Sequence, residues 1–510
     1  MNVDSQEVVS SKTDRPDAGV APAAARAHAH SMDRSLARNL TWRATGDWIS
    51  QILSWASLLI VVRLLTPADF GIAAMAVILL PYLRYLGEFG IPRAIVNLRD
   101  LTEDQIAQLN TVGVLLGISC FLIGVLVAKP FAMFFHIPPL TPVVMVTCAA
   151  LIPDGLRATS EGLLTREMRF GLLSWFEAIR AIVAAIATLL LAYFHFGYWA
   201  LIWGNLLGTV TRSSLILASR PHRFAVPHLG SIREALRFGR HVMVSVVALN
   251  SYQRLDNVTA GRVLGQTALG FYGMAWTLAN VPIEKVTSLV TTVIPSYLAA
   301  VQNDSLALRR YLRTLTEAIA LLTFPATIGI GLVAHELVPI VLGPKWTGMI
   351  VPLQVLTLYD GFRSVMALIP KVLTAVGNPR YVMWNDLAAL VILPIAFYLG
   401  SHWGTGGIAW AWVVAYPIVV VPLYRKTFAT IQMKTSEYLR AIWPALEGVL
   451  VMSLAVLAVK WGAHSARPFV LLSGEVAAGA LAYAATVLLL HRERVLAFIS
   501  FARGLALRKS

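Results

Sequence analysis

Residues 109–129 read LNTVGVLLGISCFLIGVLVAK, and the only charge in the stretch is the closing Lys129. A helix needs roughly 20 mostly apolar residues to cross the hydrocarbon layer. Dividing the chain at its polar, Pro-rich and Gly-rich breaks gives about fourteen stretches of this kind: 44–64, 71–92, 109–129, 139–164, 174–194, 198–217, 241–261, 270–300, 314–342, 350–376, 382–400, 407–423, 442–461 and 469–490. Composition agrees, since 57% of the 510 residues are hydrophobic and 14% are charged, against about 25% charged in soluble domains. The expected fold is therefore an all-α polytopic membrane protein. Cys120 and Cys148 fall inside apolar segments, where a thiol behaves as a small hydrophobe. Neither a disulfide nor a metal is expected, and no cofactor is implied. His28 and His30 in the polar first 40 residues are too few ligands for a metal site.

The basic excess, 42 Lys and Arg against 27 Asp and Glu, would suggest nucleic acid if it were clustered. Assigning alternate loops to opposite sides puts 28 of the 42 on the side of the termini, ten within spans and four (Lys129, Arg262, Lys345, Arg467) on the far side. Cytoplasmic loops carry this excess, so both termini are expected inside and no nucleic-acid partner is expected. The far-side loops are all short, which leaves no room for an external catalytic domain. The chain also lacks a GxxxxGK[ST] phosphate loop. An enzyme is disfavoured and a transporter favoured.

Self-comparison adds an architecture. Arg63-Leu-Leu-Thr-Pro-Ala-Asp-Phe-Gly-Ile-Ala-Ala-Met-Ala76 aligns without gaps to Arg262-Val-Leu-Gly-Gln-Thr-Ala-Leu-Gly-Phe-Tyr-Gly-Met-Ala275, with five of fourteen positions identical. Asp154-Gly-Leu-Arg157 and Asp360-Gly-Phe-Arg363 repeat at nearly the same offset. Spans one to six would thus correspond to seven to twelve in parallel orientation, as in transporters built from two related bundles. The expected organisation is a disordered cytoplasmic tail (1–40), an N-terminal six-helix bundle (41–217), a cytoplasmic loop (218–240), a pseudo-symmetric C-terminal bundle (241–423), two added helices (424–490) and a basic cytoplasmic tail (491–510).

Ionisable groups within spans are costly and normally face a cavity or one another. Arg84 and Glu88, Glu177 and Arg180, and the acid and base of each Asp-Gly-x-Arg motif (Asp154 with Arg157, Asp360 with Arg363) sit three or four apart, on one helical face. They could line a polar lumen or be local ion pairs that hold helices together. Recurrence in both repeats favours a lumen-lining role for Arg157 and Arg363. The seventh span has the most polar midsection, where Asn250, Arg254, Asn257 and Gly261 share one face. Such a face cannot point at lipid. Arg254 would lie near the midplane, where a guanidinium fork suits phosphate oxygens, unless Asp256 or a neighbouring helix neutralises it. Glu284, Lys285, Lys371 and Asp386 are weaker candidates for the same path.

RLLTPADFGIAAMAVI followed by LGEFGIPRAIV, then YQRLDNVTAGRVLGQTALGFYGMAWTLANVP, then LTAVGNPRYVMW followed by GIAWAWVVAYP resemble the polysaccharide-transporter branch of the multidrug/oligosaccharidyl-lipid/polysaccharide exporter superfamily. The resemblance runs from about residue 40 to about 430. It implies a flippase that moves undecaprenyl-diphosphate-linked oligosaccharide across the inner membrane during exopolysaccharide, capsule or lipopolysaccharide assembly. Its partners would be that substrate, membrane lipids, and the polysaccharide polymerase and export machinery. Arg254 and Asp256 match the family's polar Arg-Leu-Asp-Asn stretch. A cation-coupled multidrug antiporter of the same superfamily is the nearest rival, and its lumen should be dominated by unpaired carboxylates. A membrane enzyme of polysaccharide assembly stands further off.

Overall fold

The computed structural model describes residues 51, 54–98, 100–228, 230–240, 243, 254–291, 304–463 and 467–494. Among them there is no β-strand, and nine helices are long and apolar enough to cross a membrane. The other five expected spans stand differently. The first is described from Ser54 to Leu64 (α1) and the sixth is Tyr198–Ser219 (α8). The seventh lies largely outside the described residues, and Asn250 with it. The eighth is Gly265–Thr291 (α11), and the tenth is broken into Ile350–Met366 (α14) and Ile369–Ala375 (α15).

The first group of helices is α1, α2 (Pro67–Glu88), α3 (Ile91–Asn97), α4 (Glu103–Phe135), α5 (Leu140–Cys148), α6 (Leu151–Arg166), α7 (Phe170–Tyr193) and α8. Capping residues fix where they start. Thr66 accepts from the Asp69 amide while Asp69 accepts from the Thr66 amide, and Thr102 and Gln105 repeat the device at α4. Helix α4 lies close on α6 because Gly113, Gly117 and Gly155 meet backbone to backbone, the close approach that small residues allow in membranes.

The expected loop 218–240 is strapped onto this group. Thr111 bonds Ala225, Gln108 accepts from the His228 amide and from the Ser231 hydroxyl, and Ser160 donates to the Arg220 carbonyl. A helix at 233–240 (α9) follows, and Ile232 and Ala235 pack with Ile91, Ile95, Ile106 and Leu163.

The later helices are a short α10 (Leu255–Thr259) running into one π turn, α11, α12 (Ser305–Leu332), α13 (Ala334–Val341), α14, α15, α16 (Pro379–Ser401), α17 (Gly404–Ile431), α18 (Thr435–Gly462) and α19 (Pro468–Leu490). Helix α14 packs on α11, α12 and α17, while α18 packs on α12 and α19.

The two groups meet chiefly where α2 crosses α11. A Cβ on Gly71 would sit 1.8 Å from the Gln266 carbonyl oxygen, and one on Gly270 would sit 1.8 Å from that of Pro67. The sequence alignment pairs Gly71 with Gly270 and Pro67 with Gln266, so the contact is reciprocal. Around it the seam is sealed by Trp346, which is fully buried and donates its indole N–H to Val62 O at 3.0 Å. Arg63 donates to the carbonyls of Val341 and Ile340, Lys345 donates to that of Arg63, and Arg262 meets His136.

Candidate functional site

Three helices each present an aromatic residue and a polar or second aromatic partner four residues apart. Trp276 and Asn280 come from α11, Tyr359 and Arg363 from α14, and Trp412 and Tyr416 from α17. Spacing of four puts both members on one face, and the three faces converge on a cavity of about 640 Å3. Ser54, Trp55 and Leu58 of α1 close it together with Gln51, and Arg254, Asn257, Thr277 and Glu284 complete the wall. Along α1 the cavity occupies 54–58 and the seal begins at Val62; along α11 it occupies 276–284 and the seal lies at 266–270. The seal thus bounds the cavity on the Trp346 side.

Arg363 is held in a fixed pose. Its Nε lies 2.9 Å from Asp360, a terminal nitrogen reaches Asn280, and the guanidinium stands 5.2 Å above the Trp276 ring and 5.8 Å above Tyr359. Cation–π contacts of this kind strengthen when desolvated. Asp360 is fully buried beneath it.

Arg254 also borders the cavity, but Asp256 does not neutralise it. The Asp256 carboxylate is fully buried and is taken up by the Tyr272 hydroxyl (2.9 Å), the Trp412 indole N–H (3.3 Å) and both nitrogens of Asn257. Trp412 also donates to the Tyr272 oxygen at 3.1 Å. Asp256 therefore sits behind the aromatic wall and fixes Trp412, rather than facing the cavity.

The N-terminal members lie elsewhere. Arg84, Glu88 and Arg157 border a separate recess of about 410 Å3 together with Glu161 and Arg212. Arg157 is 7% exposed. It contacts Asp154 (2.9 Å), Glu88 (3.5 Å) and Glu161, and Arg84 reaches Asp154 at 2.7 Å. Arg212 continues the chain to Glu161 and Glu177, which Arg180 also meets at 2.6 Å. Four arginines and four carboxylates thus form one ion-pair network through α2, α6, α7 and α8. The two Asp-Gly-x-Arg motifs, alike in sequence, sit in different surroundings: one within a balanced network, the other under a cavity wall.

The structure accordingly brings Arg254, Asn257 and Arg363 together and places Arg84, Glu88, Asp154, Arg157 and Arg180 apart from them. The sequence reading missed Trp276, Asn280, Tyr359, Trp412 and Tyr416. Their recurring i, i+4 spacing in three separate spans was the available signal.

A model of the polysaccharide biosynthesis protein family matches residues 60–351, more than half of the chain. The chain belongs to that family. The match takes in Arg254 and Trp276 and stops short of Arg363 and Trp412. Among relatives, the succinoglycan biosynthesis transport protein ExoT of Rhizobium meliloti (strain 1021) is 22% identical over 480 residues, covering 92% of this chain and 96% of that protein. The lipopolysaccharide biosynthesis protein WzxC of Escherichia coli (strain K12) is 23% identical over 420 residues, covering 79% and 83%. A solved structure of the lipid II flippase MurJ in an inward closed conformation superposes with a TM-score of 0.71 at 15% identity, covering 89% of this chain and 99% of that one. At that identity the likeness concerns the fold.

Proposed function

We propose that this protein is a flippase that carries a diphosphate-linked oligosaccharide on an undecaprenyl chain across the inner membrane, for exopolysaccharide or lipopolysaccharide assembly. The observation that carries the reading is the cavity that joins Arg254 and Arg363 to an aromatic, amide and hydroxyl lining. A diphosphate cannot cross hydrocarbon unaided. Guanidinium forks bind phosphate oxygens bidentately, and their worth rises where water is excluded. Asn257, Asn280, Gln51, Ser54 and Thr277 offer donors and acceptors to sugar hydroxyls. The faces of Trp276 and Trp412 offer apolar area to sugar rings. Among the described residues Glu284 is the one carboxylate lining this cavity, and it accepts from Asn280 at 2.6 Å. That lining favours the flippase over a cation antiporter, which calls for a lumen of unpaired carboxylates.

In this reading the two bundles, 41–217 and 241–423, are related by a parallel repeat, and 424–490 is an addition. The reciprocal contact of Gly71 and Gly270 supports that relation. Both termini lie in the cytoplasm, so the Trp346 seal closes the periplasmic side and the cavity opens inward. Translocation requires the seal to part while Arg254 and Arg363 hold the diphosphate. Arg157 and its partners act as the rigid frame of the N-terminal bundle. Consumption of the product by a polymerase draws the substrate outward.

The test is to delete the gene and quantify secreted polysaccharide and lipid-linked repeat units, with Arg254→Ala reintroduced as a second strain. Loss of polymer with accumulation of lipid-linked units on the cytoplasmic side, unrescued by Arg254→Ala, is expected. Unchanged polymer with raised sensitivity to cationic dyes would replace the flippase by the antiporter.

A further inference from the structure

A second polar cavity, of about 540 Å3, lies outside the central one. Its walls are the first turns of α12, the turn between α17 and α18, and the segment after α19. Four arginines line it. Arg309 donates Nε to the Ile431 carbonyl at 2.7 Å and a terminal nitrogen to Gln432 at 3.4 Å. Arg494 donates to Glu317 at 3.2 Å and to the Arg440 carbonyl at 2.9 Å. A guanidinium has five N–H donors, so both are fixed in place with donors to spare. Arg310 and Arg313 are exposed at the rim.

Three carboxylates share the lining: Glu317, which Arg494 already engages, with Glu437 and Glu493. Among the described lining residues, four cations against three anions leave one positive charge, the complement of a singly charged phosphodiester. Depth selects the source of that phosphodiester. The pocket sits where three membrane-length helices, α12, α18 and α19, end on one side. Immediately beside it Leu439, Leu488, Leu489 and Leu490 are each more than half exposed. Fixed guanidiniums next to lipid-facing leucines form the interfacial arrangement that holds anionic headgroups.

We propose that this pocket binds the phosphodiester headgroup of an anionic membrane lipid, and that α18 and α19 serve to build it. The site is separate from the translocation cavity and stands whether or not the chain is a flippase.

Native mass spectrometry of the full chain in detergent, with added phosphatidylglycerol or phosphatidylcholine, tests the proposal. A parallel arm offers inorganic phosphate alone. The wild type is expected to retain phosphatidylglycerol over phosphatidylcholine, and Arg310→Ala/Arg313→Ala to lower that retention about tenfold with unchanged melting temperature. Arg467→Ala, a charge at the start of α19 on the opposite side, should leave retention as it is. Equal retention by the double variant, equal loss from Arg467→Ala, or binding of inorganic phosphate without the lipid would each overturn the assignment.

Discussion

Replacing Gly71 by alanine puts a methyl group where α2 and α11 leave no room for one. The added carbon would stand 1.8 Å from the Gln266 carbonyl oxygen, whereas a carbon and a carbonyl oxygen rest about 3.3 Å apart. The obstacle is backbone, so no side-chain rotation relieves it and the helices must part locally by about 1.5 Å. Overpacking of this order costs about 1–3 kcal/mol. That cost falls on the arrangement in which the two helices touch and is absent from one in which they have separated. The equilibrium should therefore move toward the separated state by about 5–150-fold.

Labelling reads the shift directly. Thr277→Cys places a thiol on the cavity wall, and the native Cys120 and Cys148 are buried. A membrane-impermeant maleimide added to whole cells should label Thr277→Cys at least fivefold faster when Gly71→Ala is also present. Gly270→Ala, whose added carbon meets the Pro67 carbonyl at the same 1.8 Å, should act alike. Gly273→Ala meets nothing within 4 Å and should not. Unchanged labelling in a folded Gly71→Ala protein would refute the view that this contact is the seal.

Other variants separate frame from path. Trp346→Ala removes a fully buried ring and its bond to Val62 and should lower stability by about 3–5 kcal/mol, read as a fall in melting temperature. Arg157→Ala takes the guanidinium from Glu88 and leaves Asp154 with Arg84 and Glu161 with Arg212; a loss of about 3 kcal/mol is expected, with poor recovery of folded protein. Arg363→Ala leaves the fully buried Asp360 without its cation and should lower stability by about 3–5 kcal/mol, whereas Arg363→Lys, which keeps a cation there and loses the fork, should fold and still fail to restore polymer secretion in a complementation assay. Asp256→Ala removes the acceptor of Tyr272 and Trp412 at about 1–3 kcal/mol, whereas Asp256→Asn, which keeps an acceptor, should melt close to the wild type.

Much of this was legible in the sequence. Hydrophobic runs marked helices because the bilayer imposes a length, and the internal alignment matched Gly71 with Gly270, each of which packs against the other's helix without having been expected to touch it. Arg254 was found because a lone polar face in an apolar span has few places to go. The fate of Arg157 and Arg363 was not legible. Their local motifs match, and only the neighbours from other helices, Glu88, Glu161 and Arg212 in one case, Asn280, Trp276 and Tyr359 in the other, distinguish a frame from a cavity wall. Asp256 likewise reads as a cavity residue until Tyr272 and Trp412, 16 and 156 positions away, are brought onto it. Trp346 lies near a span end, where aromatic residues commonly anchor at the interface, and instead fills the seam.

The most direct test of the account uses the purified protein in vesicles that hold an undecaprenyl-diphosphate-linked oligosaccharide, with exposure of the sugar on each leaflet followed by periodate oxidation. Sugar on the protected leaflet should become oxidised at a rate that depends on the protein and falls to the protein-free rate with Arg254→Ala or Arg363→Ala. Oxidation no faster than in protein-free vesicles, or equally fast with both arginines removed, would contradict it.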